Sequence, residues 1–145
     1  MNTDLTDTST EGRVRVLVAD DHPLLLNRVV SLLALDFCVV GAVSSGPRLV
    51  EAEAALQPDV VVVDISMPGM SGLEAAAAMR RRGSRAAVVY LTAHHETDVI
   101  EAALEAGGLG YVSKNALVQD LVPAIRAALD GHRFISARDR ASTRS

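Results

Sequence analysis

Short apolar runs alternate with longer segments in which apolar residues recur at helical spacing. The short runs predict strands, and the longer segments predict helices. The predicted strands are 14–19, 37–43, 60–63, 87–91 and 109–112. The predicted helices are 23–35, 47–56, 73–82, 98–106 and 117–129. Because strands and helices alternate, the pattern predicts an α/β fold with a doubly wound, five-stranded parallel sheet and five helices on its two faces.

Proline and glycine mark where the predicted helices begin and end. Pro23 suits the first turn of the first helix, and Gly83 and Gly131 suit the ends of the third and the last. Pro123 should mark the first turn of the last helix or bend it. Residues 67–72 are dense in turn residues and predict a loop.

Two of the apolar runs end directly on aspartate. Asp20 and Asp21 follow the first run, and Asp64 follows four consecutive valines. Carboxylates are costly to bury unless they are paired or hold a metal, and ligands bind at the carboxyl ends of the strands in open parallel sheets. Three neighbouring carboxylates repel one another without a cation, and a set of oxygen ligands suits Mg²⁺. The sequence therefore predicts a magnesium site at this edge.

A hydroxyl and the only lysine of the chain follow the next two strands. Thr92 lies just past the fourth predicted strand and Lys114 just past the fifth, so both belong to the same edge. Hydroxyl and ammonium groups suit the oxygens of a phosphoryl group. A carboxylate nucleophile, a metal and a lysine together make a site for forming an aspartyl phosphate.

Four segments in this order are similar to the receiver domain of two-component response regulators. They are Ala19–Pro23, Asp64–Glu74, Leu91–Ala93 and Gly110–Lys114, within a match over residues 13–136. The beginning Asp20-Asp21-His22-Pro23 and the end at residues 131–136 resemble the NarL/FixJ (LuxR-type) subfamily. The resemblance implies a flavodoxin-like (CheY-like) sheet with strand order 2-1-3-4-5.

The resemblance also implies a role for each matching residue. Asp64 would accept a phosphoryl group from a sensor histidine kinase. Asp20, Asp21, Asp64 and the backbone carbonyl of Ser66 would hold Mg²⁺. Lys114 would pair with the phosphoryl oxygens. Such a domain is a phosphoacceptor that catalyses only its own phosphoryl transfer and dephosphorylation, so we do not expect an enzyme in the usual sense.

A conformational switch is implied by the same resemblance. Thr92 would move to bond a phosphoryl oxygen, and Tyr111 would then rotate inward and alter the surface beside it. We expect homodimerisation on activation and an output that is transcriptional. DNA would bind only through an output domain outside this chain. The alternative is a stand-alone receiver that acts through protein partners.

Composition and charge narrow the setting. The chain has 145 residues, a net charge of −4 and one cysteine, Cys38, which we expect in a buried part of a strand. The negative charge argues against nucleic-acid binding by this domain alone. No apolar stretch approaches the roughly 20 residues that span a bilayer, so we expect no membrane contact and a cytoplasmic location. Residues 1–12 predict a disordered tail, and residues 137–145 a tail or the start of a linker.

Other interpretations of the same residues exist. Asp20 and Asp21 could merely cap the first helix. A phosphatase of the haloacid dehalogenase type also uses a strand-end aspartate, but it has a second acid two residues later, where this chain has Ser66. A flavodoxin should have a phosphate loop rich in Ser, Thr and Gly after the first strand, not two carboxylates. A degenerate receiver is disfavoured because all the phosphorylation residues are present.

Overall fold

One parallel sheet organises the protein. The computed structural model describes residues 13–93, 101, 105 and 108–136. The strands are β1 Arg15–Ala19, β2 Cys38–Val43, β3 Val60–Asp64, β4 Ala87–Thr92, β5 Gly110–Ser113 and β6 Phe134–Ile135. Every pairing is parallel, and the order is β2-β1-β3-β4-β5-β6. The predicted fold class and the order of the first five strands are confirmed. The sixth strand was not predicted, because two residues are too short to show any periodicity.

Helices cover both faces of this sheet. The described helices are α1 Pro23–Leu33, α2 Gly46–Leu56, α3 Gly72–Arg81 and α4 Leu117–Leu129, with a 3-10 turn at Lys114–Ala116. The helix predicted over 98–106 lies almost wholly outside the described residues. Within that range the structure describes only residues 101 and 105, and both are helical. The predicted tails at 1–12 and 137–145 also lie outside them. No helix within the described ranges is long and apolar enough to cross a membrane.

The core has two layers, one on each side of the sheet. One layer packs against α2 and α3 and contains Leu17, Val63, Tyr90 and Tyr111. The other packs against α1 and α4 and contains Val16, Val62, Leu91 and Val112. All five residues of β3 are buried, because this strand lies in the middle of the sheet. A parallel strand covered on both faces needs a continuous apolar run, which Val60–Val63 supply.

Most of the expected helix ends are found, and two residues, Pro123 and Cys38, differ in part from what was expected. Pro23 lies in the first turn of α1, and Gly83 and Gly131 follow α3 and α4 with φ of 86° and 78°. Pro123 lies inside α4, so of the two expectations for it the first-turn position is excluded, because the helix begins at Leu117. The other expectation, a bend in the helix, stays a prediction. Cys38 is in a strand as expected but only half-buried, because β2 is an edge strand.

Candidate functional site

The three predicted aspartates meet at the carboxyl edge of the sheet. Asp20 follows β1 and is fully buried, and Asp64 ends β3 with 1% exposure. The Asp21 side chain beside them is 23% exposed. One ligand atom from each of these three residues and from His22 lies within 4.8 Å of all the others. Rigid strand ends therefore hold three carboxylates and an imidazole at metal-binding separation.

Asp64 is the most constrained of these acids. Its Oδ1 accepts a hydrogen bond from the Ser66 backbone N–H at 3.1 Å, and Lys114 Nζ lies 3.1 Å from its Oδ2. Burial raises the pKa of the Asp64 carboxyl above its ordinary value, and the Asp20 charge raises it further, against the lowering effects of the Ser66 N–H and Lys114. Burial therefore disfavours the ionised form of Asp64 even with Lys114 beside it.

Asp20 connects the first strand to Lys114 and His22. Its Oδ1 accepts the His22 backbone N–H at 2.9 Å, and its Oδ2 lies 3.8 Å from Lys114 Nζ. His22 Nδ1 lies 3.3 Å from Oδ1 of both Asp20 and Asp21. Asp20 is therefore a bridging acid rather than a helix cap, and the residue before Pro23 makes no side-chain capping bond.

Several oxygens in this cluster have no hydrogen-bond donor. Asp20 Oδ2, Asp21 Oδ1 and Asp64 Oδ2 are buried atoms that make no hydrogen bond among the described residues. Lys114 Nζ lies 3.8 Å from Asp20 Oδ2 and 3.1 Å from Asp64 Oδ2, and His22 Nδ1 lies 3.3 Å from Asp21 Oδ1. Buried carboxylate oxygens without donors are strongly unfavourable unless a cation binds them. The set fits a hard divalent cation such as Mg²⁺, which prefers carboxylate oxygens. Ser66 is exposed, and the ligand role of its carbonyl stays a prediction.

Thr92 and Tyr111 occupy the two neighbouring strands. Asp64 is opposite Leu91 in the β3–β4 pairing, so Thr92 lies one residue beyond it at the end of β4. Thr92 is 1% exposed and Tyr111 is wholly buried. The structure thus shows Tyr111 in an inward position. Its rotation, like the roles of Thr92 and Lys114, stays a prediction.

Two supports of this site were missed from sequence. Gly72 was treated only as a turn residue, but a Cβ there would clash with the carbonyl oxygen of Asp64. The hydroxyl of Ser136, a buried residue, accepts the backbone N–H of Ser113, immediately before Lys114, at 2.9 Å. His22 also belongs to the metal-competent group, and the sequence analysis gave it no role, although its place next to two acids was a usable signal.

Comparison with known proteins agrees with this arrangement. Residues 16–126 match the family described as response regulator receiver domain. The nitrate/nitrite response regulator protein NarL of Escherichia coli K12 is 36% identical over 131 residues, which cover 88% of this chain and 60% of that protein. The chain therefore spans about 60% of the length of this curated relative.

Solved structures show the same likeness. A LuxR-family two-component response regulator from Aurantimonas sp. SI85-9A1 aligns with a TM-score of 0.84 and 31% identity, over 91% of this chain and 98% of that one. A DNA-binding response regulator of the LuxR family from Staphylococcus aureus aligns with a TM-score of 0.75 and 28% identity, over 80% and 98%.

The fold and the acidic edge define a receiver domain, and this chain belongs to the response regulator receiver family. Its relatives are regulators of the LuxR type, as the residues at both ends of the domain had indicated. The family assignment made from sequence is confirmed.

Proposed function

We propose that this domain is a phosphorylation switch in which Asp64 accepts a phosphoryl group from a sensor histidine kinase. The observation that carries the proposal is the position of Asp64 at the end of β3, 3.1 Å from the only lysine and beside two further acids. Family membership supports a kinase as the donor, since response regulators pair with kinases.

The proposed reaction is a displacement at phosphorus. A carboxylate oxygen of Asp64 attacks the phosphorus of a phosphohistidine; the new P–O bond forms while the P–N bond breaks. The donor imidazole leaves with the electron pair and takes up a proton. Lys114 is placed to neutralise the incoming phosphoryl oxygens, because its ammonium already lies within 4 Å of both Asp20 and Asp64. Thr92 adds a hydroxyl at the end of the adjacent strand.

Mg²⁺ held by Asp20, Asp21 and Asp64 would supply charge stabilisation for the transferring phosphoryl group. The chain's own contribution is to keep the ligand oxygens aimed at one point. His22 N–H fixes Asp20, and Ser66 N–H fixes Asp64. Each of these bonds uses Oδ1, so Oδ2 of both residues accepts no hydrogen bond and is available as a metal ligand.

The output proposed for the switch is transcriptional. The relatives include a LuxR-family regulator named as DNA-binding, and this chain aligns with only part of a longer curated regulator. We therefore propose that DNA recognition belongs to an output domain outside residues 1–145. A second proposal, carried over from the likeness to response regulators, is that the activated domain forms a homodimer. Gel filtration with and without beryllofluoride and Mg²⁺ tests the second point: a larger species with beryllofluoride is expected, and an unchanged elution volume would count against it.

Intact-mass measurement tests the acceptor directly. Incubation with acetyl phosphate and Mg²⁺ should add one phosphoryl group to the native protein and none to Asp64→Asn. Asp36→Asn is the matched control, since Asp36 is an aspartate with a side chain 47% exposed that pairs at 3.9 Å with Arg126. It should be phosphorylated like the native protein. An adduct that persists in Asp64→Asn would refute the assignment.

A further inference from the structure

Tyr90 is a buried phenol whose hydroxyl has no partner. The residue lies in β4 with 0% exposure, and its Oη makes no hydrogen bond among the described residues. Burial raises the pKa of Tyr90 to about 12, so the hydroxyl stays protonated at neutral pH. A buried polar group without a partner destabilises the conformation that contains it. Phenylalanine would fill the same space without that penalty.

The neighbours of Tyr90 connect it to the proposed switch. Tyr90 and Tyr111 are directly opposite each other in the β4–β5 pairing, and both belong to the core layer beneath α2 and α3. Thr92 is two residues further along β4 and therefore on the same face of the sheet. The unpartnered hydroxyl thus lies in the core layer that receives the Tyr111 side chain.

The penalty at Tyr90 depends on where Tyr111 is. Both side chains are wholly buried in one core layer and lie opposite each other on adjacent strands, so the inward Tyr111 takes up core volume beside Tyr90. When Tyr111 turns outward, the space that it leaves is next to Tyr90, and a water molecule entering there can hydrogen-bond to the phenol. The hydroxyl therefore destabilises the inward conformation more than the outward one.

We propose that Tyr90 is a positioning residue for Tyr111: its unpartnered hydroxyl disfavours the inward conformation and so holds the unphosphorylated domain towards the inactive state. This inference rests on the proposed function, in which the inward position of Tyr111 accompanies phosphorylation. Removing the hydroxyl shifts the equilibrium inward. When the inward conformation is the minor one in the unphosphorylated domain, a ligand that favours it then binds more tightly by the same factor, because the two equilibria are linked.

The tyrosine content of the chain makes the test direct. Tyr90 and Tyr111 are the only tyrosines, so 3-fluorotyrosine labelling of Tyr90→Phe leaves a single ¹⁹F signal, that of Tyr111. We expect this signal to be less accessible to a soluble paramagnetic probe than in the native protein, without any phosphoryl donor. Leaving a buried hydroxyl without a partner costs at least about 1 kcal/mol. Because about 1.4 kcal/mol corresponds to a factor of ten, the apparent affinity for beryllofluoride in the presence of Mg²⁺ should rise at least roughly fivefold.

Two controls separate positioning from general packing. Val89→Ala removes buried volume from the opposite face of β4, and it should lower stability without protecting Tyr111. Mg²⁺ affinity without beryllofluoride should be equal in Tyr90→Phe and native protein, because the acidic cluster is unchanged.

The outcomes distinguish the two proposals. A native protein that binds no beryllofluoride would overturn the phosphorylation function and this inference with it. Native binding together with unchanged or weaker binding by Tyr90→Phe, or unchanged exposure of Tyr111, would overturn the role of Tyr90 and leave the phosphorylation function in place.

Discussion

Replacing Gly72 with alanine tests how rigidly the turn after β3 holds Asp64. A Cβ at this position would clash with the Asp64 carbonyl oxygen, and it would lie 3.0 Å from Ile65 Cα and 3.1 Å from the Asp64 carbonyl carbon. All three neighbours are backbone atoms, which have no side-chain rotation by which to move aside. Ordinary contacts begin at 3.4 Å, so the backbone of Asp64 and the beginning of α3 must move apart.

The expected magnitude has a structural part and a functional part. Overpacking of this kind costs about 1–3 kcal/mol, and alanine returns less than about 1 kcal/mol of helix propensity at the first residue of α3. The net loss in unfolding free energy should be about 1–2 kcal/mol. Moving Asp64 also disturbs its 3.1 Å contacts with the Ser66 N–H and Lys114. Misplacing a reacting group by 1 Å costs on the order of 100-fold in rate, so we expect phosphorylation to slow at least tenfold.

Urea unfolding and the initial rate of phosphorylation by acetyl phosphate measure the two parts. Gly41→Ala is the matched control, because its Cβ would meet only the terminal atoms of Leu17 and Leu56, at 3.1 and 3.2 Å. Those side chains have rotamers that relieve the contact. If Gly72→Ala is phosphorylated and unfolds like Gly41→Ala, close packing of the turn against the Asp64 backbone does not hold Asp64 in place.

Four further changes have defined outcomes. Asp20→Asn should lose most of the stabilisation by Mg²⁺, which for one site and a Mg²⁺ concentration of 100 times the Kd is about 2.7 kcal/mol. If Mg²⁺ raised the Tm of the native protein and of Asp20→Asn equally, Asp20 would be excluded as a ligand. Lys114→Gln should lower metal-free unfolding free energy by about 3–5 kcal/mol, since it leaves buried carboxylates without their ion-pair partner, and urea titration with added Mg²⁺ should recover part of the loss. The folded pKa of Asp64 is raised above 3.8, so the folded state binds this proton more tightly than the unfolded state; the contribution of Asp64 to metal-free stability should fall as pH rises from below 3.8 through the raised pKa. A pH series of urea titrations should show no such contribution in Asp64→Asn. Ser136→Ala leaves the buried Ser113 N–H without its acceptor and should cost about 1–3 kcal/mol in the same assay; a loss below the experimental error would show that water replaces the hydroxyl.

The sheet and its acidic edge were predictable from sequence for a physical reason. Strands covered on both faces must be apolar throughout, and Val60–Val63 are all wholly buried. Parallel strands bring their carboxyl ends to one edge, so residues that follow different strands become neighbours without any knowledge of side-chain positions. This is why Asp20, Asp64 and Lys114 could be assigned to one site before their distances were known.

Contacts between distant or very short segments were not predictable. β6 has two residues and shows no pattern, and it is a strand only because β5 is beside it. The Ser136 hydroxyl reaches Ser113 across 23 residues, which no local spacing encodes. The inward position of Tyr111 is a matter of side-chain rotamer within a packed core. Sequence spacing predicts which residues share an edge or a face, and packing decides their conformations.

The balance of charge among the acids and Lys114 connects the acidic edge to the proposed switch at Tyr111. Three carboxylates face one ammonium, which leaves about two negative charges unbalanced when all are ionised, and one divalent cation matches that deficit. Phosphorylation at Asp64 would exchange one negative charge for about −1.5 to −2 at neutral pH, so the metal-bound site would again be too negative. The donors that the edge then offers are Lys114 after β5 and Thr92 at the end of β4. Because Tyr90 and Tyr111 are opposite each other on these same two strands, a charge change at Asp64 would act directly on the strands that hold the proposed switch.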